Sequence, residues 1–91
     1  MDPIIIWDLD DDPEGNYAHI LEHGVSQEEV EDVLLNRRNP TTASRSTARH
    51  MTFGWTHTER HIAVVWELVD EDPRTIMPVT AYETPPRMGK R

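Results

Sequence analysis

Ninety-one residues, 36% of them hydrophobic and 29% charged, are enough for one small domain with a thin core. The chain has no cysteine, which excludes disulfide staples, thiolate zinc sites and a cysteine nucleophile. A formal net charge of −8 argues against non-specific nucleic-acid binding through the whole surface.

Ile4-Ile5-Ile6-Trp7 is short and β-branched and reads as a strand. Asp12-Pro13 offers an N-cap followed by proline at the first helical position, so a helix is expected from Pro13. Tyr17, Ile20 and Leu21 would form its apolar stripe and Gly24 its C′ glycine. Ser26-Gln27-Glu28-Glu29 is a capping box, flanked by Val25 and Val30 at the positions of a hydrophobic staple. Val30, Val33 and Leu34 give this second helix its stripe, and Asn39-Pro40 is expected to mark its end.

From Asn39 to about Arg49 the chain is polar and without apolar period, so a long loop is expected. Met51, Phe53 and Trp55 then alternate with Thr52, Gly54 and Thr56. His61 to Val69 alternates again, with Ile62, Val64, Trp66 and Leu68 on one face. Asp70 to Arg74 reads as a turn and Thr75 to Glu83 as a further strand, in which Pro78 predicts an edge or a bulge. The three tryptophans, Trp7, Trp55 and Trp66, are expected in the core. The fold class is therefore α+β, with an N-terminal strand and two helices on a small twisted antiparallel sheet. One domain spans 1–84, and 85–91 form a basic tail.

No apolar run approaches the ~20 residues that span a bilayer, and the start lacks the basic region of a secretory signal. A cytoplasmic protein with no membrane partner is the expectation. Charge is segregated: residues 1–36 hold eleven acids and no Lys or Arg, while Arg37 to Arg60 holds five arginines against Glu59. The acidic half reads as a solvated face that could receive a basic partner.

His19-Ile20-Leu21-Glu22-His23 matches the H-x-x-E-H zinc-peptidase pattern. A third ligand has no further helix to come from and this one ends at Gly24, so a partly buried histidine pair near Trp7 is expected instead. No metal or cofactor is implied. Asp8, Asp10, Asp11 and Asp12 resemble a calcium loop in composition but lack its spacing. Arg45, Arg49, His50, His57, Arg60 and His61 crowd the first hairpin. Arginine grips phosphate bidentately and histidine titrates near neutrality, so such a cluster could cleave RNA without a metal. A hairpin with an ordinary charged face is the plainer alternative.

Several local signatures in one order resemble the BrnT family of bacterial type II toxins, ribonucleases with a RelE-like fold. They are Trp7-Asp8, Asn16, His23-Gly24-Val25-Ser26, the capped helix Glu28 to Leu34, Arg49 before Gly54-Trp55-Thr56, Ile62 to Trp66, and Val79-Thr80-Ala81. The resemblance implies RNA cleavage and neutralisation by a cognate antitoxin protein. It departs from the family at Glu22, where a basic residue is usual, and at Tyr82-Glu83, where arginine usually closes the strand. On this reading Arg49 is the phosphate ligand, His61 and Tyr82 are proton-transfer groups, and Glu67 is a base. Arg45, Arg60 and His57 contact RNA, and a second copy of the chain is a further partner. A catalytically silent relative serving as a protein-binding or regulatory module is the rival.

Overall fold

A computed structural model describes residues 2–44 and 48–86. Arg45 and the tail from Arg87 to Arg91 lie outside the described residues. The chain runs β1 (Ile4–Ile5), α1 (Asn16–Glu22), α2 (Gln27–Leu34), β2 (Thr41–Ala43), β3 (Arg49–Trp55), β4 (His61–Glu71) and β5 (Arg74–Glu83). The strands form one sheet in the order β1-β5-β4-β3-β2. The architecture is α+β as expected, but the sheet is mixed rather than antiparallel. β1 pairs parallel with β5, Ile4 opposite Thr75 and Ile5 opposite Ile76, while the other three pairings are antiparallel. No helix among the described residues is long and apolar enough to cross a membrane.

The capping box of α2 forms as read: the Ser26 hydroxyl accepts from the Glu29 N–H, and the Glu29 carboxylate accepts from the Ser26 N–H. Val30 and Val33 are fully buried, but the helix stops at Leu34, five residues before Asn39. α1 also starts later than expected, at Asn16 after an N-cap Gly15 with no side-chain cap. Asp12 instead closes a local turn, its carboxylate accepting from the Glu14 N–H. Ile20 of the predicted stripe is buried, whereas Leu21 is exposed. Gly24 adopts φ +80° past the end of α1, the left-handed conformation that favours glycine.

Part of the expected 39–49 loop is strand. Thr41 to Ala43 pair with Thr52 to His50 and extend the sheet by one short edge strand. Pro78 sits at a register shift between β4 and β5 and beyond the last β1 pairing at Ile76, so both a bulge and a local edge accommodate it.

One face of the sheet carries Ile62, Val64, Trp66 and Ile76, and these join Ile20, Val25, Val30 and Val33 from the helical segment in one core. Each such side chain stabilises the fold by roughly 1.5–3 kcal/mol through burial. Thr52 and Gly54 share this face, directly opposite Val64 and Ile62. The Thr52 hydroxyl accepts from the buried Trp66 indole at 2.8 Å. A Cβ on Gly54 would lie 2.3 Å from the Asn39 amide, which donates to the last turn of α2 at Val33 O. Only glycine fits there. The consequence is that Trp55 points away from the core, contrary to expectation, and lies half-buried on the opposite face.

A polar centre locks β1 to α1. Asn16 is 7% exposed, and its amide donates to the carbonyls of Ile6 (3.1 Å) and Pro78 (2.9 Å). Its carbonyl accepts from the Asp8 N–H, and its own N–H donates to the Asp8 carboxylate. One side chain thereby satisfies the backbone where β1 leaves β5.

Candidate functional site

The core side chains of both helices pack on one face of the sheet, and the residues of the other, uncovered face follow in cross-strand rows. Trp55 opposes His61; Phe53, Ala63 and Tyr82 form the next row; Met51, Val65 and Thr80 the third; Arg49, Glu67 and Met77 the fourth. Directly opposed residues share a face, so Arg49, His61, Glu67 and Tyr82 all project to the same side.

Arg49 Nε donates to the Glu67 carboxylate at 3.1 Å, joining two of the predicted site residues directly. The Tyr82 hydroxyl lies 4.0 Å from Met51 Sδ and so leans one row towards Arg49. Met51 is next to Arg49 on this face of β3, about 7 Å along the strand. His61 is different. It stands three rows from Glu67, about 20 Å along the strand. There it meets the edge of Trp55 at 5.2 Å, and its Nδ1 is 3.2 Å from the Thr84 carbonyl. Arg49 and Glu67 are thus in direct contact; Tyr82, two rows away, reaches towards them as far as Met51, and His61 stands one row further still.

Comparison of the chain with protein-family models and with curated proteins gives no match. The site is therefore read from its own chemistry.

Arg60 and His57 are engaged on the helical side. Arg60 Nη1 donates to the Glu29 carboxylate at 3.0 Å and to the Gly24 carbonyl at 2.6 Å, and Nη2 reaches Glu83 at 3.3 Å. Glu29 is 5% exposed and also accepts from the Thr58 hydroxyl. Burial pulls the Glu29 carboxyl upward, but hydrogen bonds from Thr58 and the Ser26 N–H, with the Arg60 charge, outweigh it and hold the group below its ordinary 4.5. Asp32 is lowered in the same way, its burial outweighed by the backbone and ring of His57. The hydrogen bond and charge of Asp32 raise His57 above 6.5. His57 and Arg60 fasten the β3–β4 turn to α2. The local excess of positive charge read from the sequence is correspondingly offset by Glu29, Asp32 and Glu83 from distant parts of the chain.

These contacts set a pH window. The Asp32 and Glu29 contributions are present above about pH 4.5 and fade as pH falls through their lowered values. The His57 contribution is complete below 6.5 and fades as pH rises through its elevated value. The urea midpoint is expected to peak between these limits, and Asp32→Asn is expected to abolish the alkaline decline. A midpoint that declines equally in both proteins would assign the effect to other groups.

A groove of about 440 Å³ runs beside the Arg49–Glu67 pair, walled by α1 and the segment before it. Asp8, Glu14, Glu22 and His19 line it together with Arg49 and Glu67. Sequence reading missed these carboxylates as neighbours of Arg49, since nothing local brings residue 14 or 22 to residue 49. It also placed Phe53 with the ordinary alternation of a strand, and only the pairing shows it on the uncovered face. His19 and His23 are exposed rather than partly buried, with rings 4.8 Å apart. Among the described residues no three His, Asp or Glu side chains converge as a metal-binding group.

Proposed function

We propose that this chain is a toxin-like ribonuclease that cleaves RNA by attack of a ribose 2′-hydroxyl on the adjacent phosphate, with the uncovered sheet face as its active surface. The observation that carries this reading is the Arg49–Glu67 pair, with Tyr82 on the same face one row beyond Met51. Glu67 takes the proton of the 2′-hydroxyl, and the 2′-oxygen bonds to phosphorus. Arg49 balances the charge gathering on the phosphoryl oxygens. The bond from phosphorus to the 5′-oxygen breaks, Tyr82 protonates that oxygen, and a cyclic phosphate remains. Phe53 and Trp55 extend the surface with aromatic faces on which bases stack. The BrnT-like order of signatures agrees with this assignment and adds a cognate antitoxin protein as partner. His61 stands too far along β4 to share the proton transfer with Glu67.

Growth and cleavage test it together. Induction of the wild type in bacteria is expected to arrest growth, and Arg49→Ala is expected to be harmless. The purified Arg49→Ala protein is expected to cleave a single-stranded RNA about 100-fold more slowly or worse. A second reading, a catalytically silent protein-binding module, is favoured by the carboxylates of Asp8, Glu14 and Glu22 around the Arg49 groove, which repel a phosphate. Harmless expression of both proteins, with no cleavage by either, would overturn the nuclease reading and support the silent module.

A further inference from the structure

On the helical side of the sheet, a second cleft of about 270 Å³ opens between the end of α2 and the start of β5. Its floor is apolar, with Leu34, Trp66 and Ile76, and its charged walls are Arg37 and Arg74. No carboxylate lines it. These two guanidinium groups differ from those of Arg49 and Arg60, which are each bound to a carboxylate. Among the described residues Arg37 has no ion pair or hydrogen-bonded side-chain partner, and Arg74 meets only the Trp66 ring, 5.5 Å from its centroid. In a molecule of net charge −8, two uncompensated arginines facing one cleft form a local +2.

We propose that this cleft binds a small organic phosphate monoester, separately from the uncovered face and on the opposite side of the sheet. Guanidinium groups fit phosphate oxygens in paired hydrogen bonds. Two of them balance the charge of roughly −2 carried by a phosphate monoester near neutrality, whereas a carboxylate would leave one unmatched. The cleft is larger than a bare phosphate needs and lies near the lower limit, about 300 Å³, of small-molecule sites. It therefore suits one sugar phosphate or mononucleotide. The Asn36 side chain at the rim adds amide hydrogen-bonding capacity, and the apolar floor accommodates the organic part.

Calorimetric titration of the full chain with AMP, ribose 5-phosphate and inorganic phosphate tests the proposal. AMP and ribose 5-phosphate are expected to bind at one per chain, and inorganic phosphate more weakly. Arg37→Gln and Arg74→Gln are each expected to weaken binding about tenfold or more, which corresponds to about 1.4 kcal/mol. Arg37 is exposed, so its variant keeps the fold if loss of the Arg74 contact unsettles Trp66. Arg38→Gln removes the same charge one residue away, outside the cleft, and is expected to bind as the wild type does. Tighter binding of AMP than of ribose 5-phosphate would show that the base reaches the floor; equal binding would show recognition of the sugar phosphate alone. The absence of saturable binding by either ester up to about 10 mM would overturn the site. So would equal weakening by Arg38→Gln, leaving Arg37 as a counter-charge to the end of α2.

Discussion

Asn16→Ala is expected to lower the free energy of unfolding by about 3 kcal/mol, measured from the urea midpoint at constant slope. The residue is 7% exposed, and its side chain satisfies two backbone carbonyls and one N–H from two separate parts of the chain. Removing it leaves the Ile6 and Pro78 carbonyls and the Asp8 N–H without those partners, and each buried unsatisfied group costs about 1–3 kcal/mol where water does not replace the bond. Asn16→Asp is expected to be worse at neutral pH, because a carboxylate would face the two carbonyl oxygens that the amide now serves. Acidification should then recover part of the loss. A change below about 1 kcal/mol in the alanine variant would mean that water enters and takes over the amide's contacts.

Arg60→Ala carries the second large effect. Glu29 is nearly inaccessible, so loss of the guanidinium strands a buried carboxylate with only the Thr58 hydroxyl and the Ser26 N–H. Breaking a buried pair from one side costs about 3–5 kcal/mol. The Arg60 side chain is 27% exposed, which admits some solvent and puts the expected loss near the lower end, about 3 kcal/mol. Glu29→Gln introduced on top of Arg60→Ala is expected to restore part of the stability, since a neutral amide needs no counter-charge. If the double variant is no more stable than the single one, the stranded charge is not the cause, and the lost contact to the Gly24 carbonyl takes its place.

Features encoded within a few residues were legible, and those encoded across the chain were not. The α2 start could be read because Ser26, Glu29, Val25 and Val30 all act within one turn. The β4 alternation could be read because four apolar residues recur at every second position. Periodicity groups Met51 with Phe53 and Trp55, but it does not say which face turns inward. That choice is made by Gly54 against Asn39 and by the Thr52 hydroxyl beneath the Trp66 indole. β1 pairs through two residues with a partner some seventy positions away, and β2 has three polar or small residues at the sheet edge. Neither carries a pattern of its own. The site divides in the same manner. Arg49 and His61 could be nominated by residue type, and Glu67 and Tyr82 with the help of the BrnT-like resemblance, whereas their rows depend on strand register. The carboxylate partners of His57 and Arg60 lie 25 and 31 positions away.

The helices bury their core side chains against one face of the sheet, so the chain divides its labour between two surfaces. Substitutions among Arg49, Met51, Phe53 and Tyr82 leave the packed half intact. That lets chemistry on this exposed plane drift, be lost or be regained over evolutionary time while the scaffold beneath persists.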